Sequence, residues 1–462
     1  MSSNNLDKDW ISKTAQKTGF SVSTIQRLIE VCYFQNSRKN FKKEVHNLIS
    51  ALQTPQKWFS LRINPVRIDK SPDKNVLEKI VNQLRAKSSD SVPNLIFIPV
   101  DGPFFLQKLS REIVVDKYAA ESIMIGANLY IPGFLKPLPK FQKGEEFSIY
   151  SPNHSHVANG ITQLSHSEIV HKKKGIGIKT TKSKYRTPSY RDSNFFSKGF
   201  ISDHSFGPFL ACKLLMEFYK DQNVIFDVCS APGHMGCALS EMGYQKYKQF
   251  PTIVSIDRSK KRLEGLHQDI DRLGLKNFRV IPYQLEKASQ SHPDLLNKAD
   301  LLVFDPPCSA LGTRPKLSIE HSAEDYRNFF LLQRRFVKYI FAYLKQGGIV
   351  LYTTCTLTLM ENEGIVSLMN RKFGFEILDA YSLLSEVIGE NRMQLYKDEF
   401  QSGIPRNEPL LNNNPFADSI HQRDLDRYFT LTKKDAKKLI RVNPKGDYST
   451  GYFISLLRKI RS

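Results

Sequence analysis

From Phe200 onward, short apolar runs alternate with amphipathic stretches, and that alternation leaves few folds open. Val224 to Cys229 reads as a strand ending in a Gly-containing turn. Thr252 to Asp257 is a second strand, followed by a helix over Ser259 to Leu273. Phe278 to Ile281 and Asp300 to Asp305 supply a third and a fourth. Asp325 to Leu344 carries Leu332, Phe336, Ile340 and Leu344 one turn apart, which predicts a long helix that Gly347 and Gly348 end. Gly348 to Thr353 is the fifth strand and Glu361 to Phe373 a further helix; Phe375 to Leu378 and Gly451 to Leu457 can supply edge strands. Strands separated by helices are joined by crossovers, so the pattern predicts a doubly wound α/β domain with its site beyond the strand C-termini. The stretch from about 385 to 445 is polar, with Pro and Asn clusters, and yields no element order.

The chain has 462 residues, too many for one core. Residues 1–110 read as an α+β region: helical spacing over Val22 to Val31, Lys43 to Leu52 and Asn75 to Leu84, strands over Trp58 to Asn64 and Asn94 to Pro99. Residues 111–186 change character. Short apolar runs (Ile123 to Ile125, Leu129 to Pro132, Phe147 to Tyr150, Ile176 to Ile178) are separated by Gly, Pro and Asn, which predicts a small β-barrel. Its end, His171 to Arg186, holds seven Lys or Arg and no acid. The whole chain has 67 Lys and Arg against 46 acids, a net charge of +21. Such an excess points to a polyanion, and the stripe with Lys172, Lys173 and Lys174 is read as facing RNA. Met1 to Trp10 is polar and no apolar run reaches a spanning length. The expectation is an intracellular, cytoplasmic protein with no membrane partner.

Six cysteines occur and none forms a C-x-x-C pair, so no metal site and no disulfide framework is expected. Cys32, Cys212 and Cys237 read as small buried hydrophobes. Cys308 and Cys355 differ. Asp305-Pro306-Pro307-Cys308 and Thr353-Thr354-Cys355-Thr356 each follow a predicted strand, which aims two thiols into one cleft. A thiolate that adds to C6 of cytosine makes C5 enamine-like and able to take a methyl group; a base must then remove the C5 proton. A carboxyl group near N3, here Asp305, assists the addition. Spacing alone leaves open which cysteine attacks.

The turn Asp227-Val228-Cys229-Ser230-Ala231-Pro232-Gly233-His234-Met235-Gly236 suits close approach of backbone amides to a ligand, and Asp257 at the next strand end suits ribose hydroxyls. With no phosphate-binding Lys-Ser/Thr pair, S-adenosylmethionine fits this loop better than ATP.

These residues carry a resemblance. Asp305 to Ser309, Thr354-Cys355-Thr356, Asp227 to Gly233, Asp257, Arg62-Ile63-Asn64 and Glu361-Asn362-Glu363 resemble the motifs of the Sun (RsmB-like) family of RNA cytosine-5 methyltransferases. The resemblance implies a Rossmann-like AdoMet methyltransferase domain over 187–462. It implies Cys355 as nucleophile and Cys308 in proton removal and enzyme release. It also implies cofactor contacts at Cys229, Ser230, Ala231, Pro232, Gly233, His234, Met235, Asp257, Gln284 and Asp305. Ile125 to Gly133, Lys143-Gly144-Glu145 and Ala158 to Ile161 are similar to a PUA domain. A PUA domain placed before the catalytic core resembles the subgroup acting on cytosine 72 of the tRNA acceptor stem, as does Gly312-Thr313-Arg314-Pro315. RNA contacts at Tyr130, Asn159 and Arg314 follow from that likeness. The chain also departs from the family: Met235 stands where the cofactor loop has an active-site lysine, and Gln284 where an acid borders the adenosine. Two alternatives therefore stand beside tRNA methylation: an RNA-binding protein on an impaired scaffold, and the same chemistry on ribosomal RNA.

Overall fold

The computed structural model of the protein describes residues 3–36, 41–406 and 419–460. Its largest sheet runs in the order Phe278–Ile281, Thr252–Ile256, Val224–Val228, Ala299–Phe304, Leu344–Thr354, Tyr452–Lys459, Ile440–Val442, Phe400–Ser402. The strands from 224 to 354 pair in parallel and the rest antiparallel. Strand order reverses on the two sides of Val224–Val228, so the crevice beyond its C-terminus is where a doubly wound sheet binds a ligand. Both faces are covered, which explains the unbroken apolar runs: Leu301 to Phe304 and Val350 to Tyr352 are wholly buried.

Two sequence expectations are corrected here. Gly347 and Gly348 do not end the long helix; Ala323–Tyr343 stops at Tyr343 and the strand starts at Leu344. Gly347 (φ +77°) instead carries the irregularity that shifts the register between Ala299 and Leu301. The Tyr452–Lys459 strand is not at an edge. It lies between Leu344–Thr354 and Ile440–Val442 and also pairs Phe375–Ile377, because the polar stretch after 385 supplies two more short strands.

The N-terminal region contributes helices Ser3–Thr18, Val22–Asn36 and Phe41–Gln53 and a sheet of Lys87–Ser88, Leu95–Pro99, Trp58–Ile63 and Ile201–Asp203. Its fourth strand comes from beyond the small β domain, which is thus inserted between Leu95–Pro99 and Ile201–Asp203. The β domain orders Glu112–Val114, Glu146–Tyr150, His156–Thr162, Ile176–Ser183 and Leu129–Tyr130. A bridge from Val115 to Phe134 joins the two ends of that order and closes the barrel. The run Ile123 to Ile125 is not a strand. It ends the helix Lys117–Ile123, which Asp116 caps by accepting from the amides of Tyr118 (2.8 Å) and Ala119 (3.0 Å). Among the described residues no helix is long and apolar enough to cross a membrane.

Candidate active site

Phe304 and Tyr352 are opposite each other on adjacent parallel strands, so the turns that follow leave the sheet at the same edge. The result is a Cys308 Sγ to Cys355 Sγ separation of 3.3 Å, with both thiols half-buried. The hydrogen bond with Cys355, and then burial, hold the Cys308 thiol well above its ordinary range. Asp305 follows the strand directly, and Thr353 Oγ1 donates to its Oδ1 at 3.2 Å. Burial pushes the Asp305 carboxyl up to about 7.

Behind both turns lies one polar segment, Glu361-Asn362-Glu363, in a wide helical turn over Met360–Gly364. All three side chains are buried. Asn362 brackets Cys355: its Oδ1 accepts from Thr354 Oγ1 (2.5 Å) and its Nδ2 donates to the Thr356 carbonyl (3.0 Å). Glu363 takes a two-pronged contact from Arg441 at 2.7 and 2.5 Å, and Arg441 also donates to the Leu357 carbonyl at 2.9 Å. Glu361 accepts from Ser309, Thr358 and Gln333. Sequence reading named this triplet without giving it a task. A local signal exists for Gln333, which sits among Tyr326, Phe330, Phe336, Val337 and Ile340 on the buried face of its helix. A polar residue in that row must find an internal partner.

The turn after Val224–Val228 carries two residues in the left-handed region, Cys229 (φ +59°) and Gly233 (φ +100°). A Cβ on Gly233 would meet Leu266 Cδ1 at 2.3 Å, so the close approach to the neighbouring helix needs glycine there. Asp257 ties this turn to the next: Oδ2 accepts from the Ala231 amide (3.1 Å) and Oδ1 from the Ser259 amide (2.8 Å). Asp227 Oδ2 accepts from the Gly236 amide at 3.1 Å; burial and then Asp305 push its carboxyl up to about 7. Ser230 is buried and its Oγ has no hydrogen-bond partner among the described residues. Cys229, Asp257, Tyr283, Gln284 and Pro307 line one cleft, which the cysteine turn therefore borders. Pro232 follows Ala231 in the same turn, and His234 gives its carbonyl to Arg62 Nη1 at 3.0 Å.

Met235 does not face that cleft as a polar group. Its side chain is buried in the core on one face of the sheet, where Tyr452 Oη donates to its Sδ at 3.9 Å. Gln284 caps the helix Leu285–Ser291 by position, with an exposed side chain that makes no capping bond.

The expected RNA contacts separate into two groups. Tyr130 is 54 % exposed, and Lys172, Lys173 and Lys174 lie on the surface, Lys172 beside Glu168 at 3.3 Å. Asn159 and Arg314 are used internally, against expectation. Asn159 is buried, donates to the Gln107 carbonyl (2.8 Å) and meets His156 Nε2 (2.7 Å). Arg314 donates to the carbonyls of Thr54, Pro55, Pro444, Gly446 and Ser449. Burial lowers its guanidinium to about 10.

Known proteins match this arrangement. The family described as 16S rRNA methyltransferase RsmB/F matches residues 214–398, and the PUA domain matches residues 111–183. The tRNA (cytosine(72)-C(5))-methyltransferase of Pyrococcus horikoshii is 30% identical over 364 residues, covering 77% of this chain and 89% of that protein. The tRNA (cytosine(72)-C(5))-methyltransferase NSUN6 of Homo sapiens is 25% identical over 375 residues, covering 73% of this chain and 77% of that protein. The crystal structure of NSun6 from Pyrococcus horikoshii with SFG superposes with a TM-score of 0.72 at 27% identity, covering 96% of this chain and 100% of that one.

Proposed function

The chain belongs to the RsmB/F family of RNA cytosine-5 methyltransferases, and we propose that it methylates C5 of cytosine 72 in the acceptor stem of tRNA, inside the cell, with S-adenosylmethionine as donor. The observation that carries this reading is the 3.3 Å approach of Cys308 and Cys355 beside the buried Asp305. The choice of tRNA is supported by the relatives from Pyrococcus horikoshii and Homo sapiens and by the PUA match over residues 111–183; in this reading residues 111–186 hold the RNA.

The cleft suits the cofactor. Ser230 Oγ is an orphaned buried hydroxyl, Gly233 leaves no Cβ in the turn, and SFG in the Pyrococcus horikoshii structure is an analogue of S-adenosylmethionine. The turn from Cys229 to Gly233 would hold it, with Asp257 and Gln284 on either side. When bound, S-adenosylmethionine supplies an electrophilic methyl group.

The chain's own residues do the rest. The target base leaves its stack to enter the cleft. Cys355 Sγ adds to C6, and the ring's π electrons shift toward N3. Asp305, whose carboxyl burial pushes up to about 7, keeps a protonated form available at neutrality, and that form donates to N3. C5 is then nucleophilic and would take the methyl group as the methyl–sulfur bond breaks, with S-adenosylhomocysteine as the leaving group. Cys308, its own thiol proton released to solvent, removes the C5 proton as a thiolate, the C5–C6 double bond re-forms, the C6–Sγ bond breaks to return Cys355 as thiolate, and the N3 proton returns to Asp305. Cys308 starts as a neutral thiol because Cys355 and burial favour its proton. Once Cys355 is bonded to carbon, the larger of those two constraints is gone.

Met235 favours a second reading, an RNA-binding protein without turnover, since a thioether supplies no charge to the site. One experiment separates the two. Purified protein, a tRNA transcript and labelled S-adenosylmethionine should yield 5-methylcytosine at position 72 by bisulfite sequencing. Methylation confined to ribosomal RNA would overturn the tRNA assignment. RNA binding with no methylation of either RNA would overturn the enzymatic reading.

A further inference from the structure

Each cysteine is followed by a hydroxyl residue, Ser309 after Cys308 and Thr356 after Cys355. The two hydroxyls are 2.7 Å apart, so the turns are joined one residue beyond the thiols. A single carboxylate backs this junction. Glu361 Oε1 accepts from Ser309 Oγ (2.6 Å) and Thr358 Oγ1 (2.8 Å). Its Oε2 accepts from the Ser309 amide (2.9 Å) and Gln333 Nε2 (3.1 Å). The Ser309 hydroxyl has one hydrogen, and it points to Glu361. Thr356 must therefore donate to Ser309. Gln333 Nε2 also donates to the Pro307 carbonyl at 3.0 Å, so the residues on both sides of Cys308 are held.

Glu361 is 1 % exposed, and its four donors are all neutral. A buried charge with no cation beside it is expensive, and an apolar side chain of similar volume would cost less. What an apolar side chain would not do is fix two turns from different strands to one another.

We propose that Glu361 is a positioning residue that sets the separation of the two thiols, acting through the Ser309–Thr356 hydroxyl pair, and that it controls proton removal and enzyme release rather than RNA binding. The kinetic half of this inference rests on the cysteine roles proposed above; the geometric half does not. Ser309 belongs to the Cys308 turn and takes two of the four bonds, so loss of Glu361 frees that turn first. Cys355 keeps its separate bracket from Asn362.

The test is Glu361→Gln. An amide has one acceptor oxygen in place of two, and its N–H groups face groups that now donate. A misplacement of about 1 Å can cost on the order of 10²-fold in rate. The expected result is a kcat lowered by that order, an unchanged KM for RNA, and a denaturation-resistant RNA adduct that accumulates as in Cys308→Ala. In a Cys308→Ala background the same substitution should cost nothing more, because its target is already gone. An equal loss in both backgrounds overturns the proposal.

A second readout needs neither RNA nor cofactor. With 2,2′-dipyridyl disulfide, one thiolate displaces a pyridine-2-thione and forms a mixed disulfide. The second thiol then displaces the other thione and closes a Cys308–Cys355 disulfide. The rate of the second release reports the thiol separation. It should fall in Glu361→Gln and, should that variant not fold, in Ser309→Ala. An unchanged rate in folded variants overturns the geometric half. If the unsubstituted protein methylates no RNA, the functional reading fails while this measurement still decides the role of Glu361.

Discussion

Asp305→Asn separates the electrostatics of the site from its shape. Asparagine keeps the volume and the acceptor for Thr353 Oγ1 but cannot ionise. The Asp305 carboxyl stands at about 7 against an ordinary 3.8, because burial disfavours its charge. Between those two values the folded chain holds the proton and the unfolded chain does not. Stability must therefore fall as pH rises through this window. Roughly three pH units at about 1.36 kcal/mol each amount to about 4 kcal/mol by pH 8. Asp227 works in the same direction: Asp305 is the second cause of its raised carboxyl, and removing that charge eases its ionisation. The assay is urea unfolding of both proteins at pH 4 to 8. At pH 4 the two should be nearly equal; by pH 8 Asp305→Asn should be the more stable by about 4 kcal/mol. Activity should move the other way, with kcat down by on the order of 10²–10³, because the amide can still donate a hydrogen bond to N3 but cannot transfer a proton to it. A stability difference that stays flat across this range would refute the argument, because it would mean that Asp305 ionises in the folded chain as it does in water.

Cys355→Ala should abolish both methyl transfer and the covalent RNA adduct while leaving RNA affinity intact; full activity in that variant would sink the mechanism. Cys308→Ala should trap the adduct, visible as a slow band on a denaturing gel with an RNA the unsubstituted enzyme methylates. Arg314→Met should lower stability by about 3–5 kcal/mol, since five carbonyls lose a charged donor. RNA affinity should hold at a temperature where the variant is folded, and a selective loss of affinity would return Arg314 to the RNA-facing group. Replacing Lys172, Lys173 and Lys174 with Glu should weaken RNA binding and reduce the salt slope of log K by about 2, with S-adenosylmethionine binding unaltered.

What was legible in the sequence is what short-range patterns encode. Apolar runs and Pro- or Gly-containing turns are local signals, so the five parallel strands and the two cysteine turns could be read directly, and their adjacency followed from strand order. Arg314 shows where that approach stops. In sequence it stands in the run Gly312-Thr313-Arg314-Pro315, whose likeness to a tRNA-acting subgroup implied an RNA contact. In the fold its partners are main-chain carbonyls at 54, 55, 444, 446 and 449, and a carbonyl carries no residue signature. The internal bond of Asn159 is hidden for a related reason, since its partner at Gln107 is again a carbonyl. The two strands after 385 were hidden because Phe400–Ser402 and Ile440–Val442 are each three residues long, too short for any period to emerge. The run ending at Ile125 looked like a strand because its helix holds only seven residues, and the decisive cue was the Asp116 cap rather than apolar spacing.

The stretch from Cys308 to His321 shows why the β domain and the cysteine pair cannot be treated separately. The Gly312 amide donates to the Cys355 carbonyl (2.9 Å), and its carbonyl accepts from the Gly451 amide (2.7 Å). A Cβ on Gly312 would fall 2.3 Å from the Gly451 oxygen, so backbone meets backbone there. Arg314 then pins the stretch to both ends of the chain. Leu317 is buried in the core of the β domain, and its amide donates to Glu121 Oε1 at 3.0 Å. Ile319 pairs with Phe20 of the N-terminal helices, and His321 Nε2 returns to the Ser309 carbonyl at 3.2 Å. The turn that carries Cys308 is thus the near end of a strap whose middle residue is part of the β domain's own core. Any rotation of that domain large enough to withdraw Leu317 must also pull on the carbonyl next to Cys308, so domain placement and thiol placement are set by the same contacts.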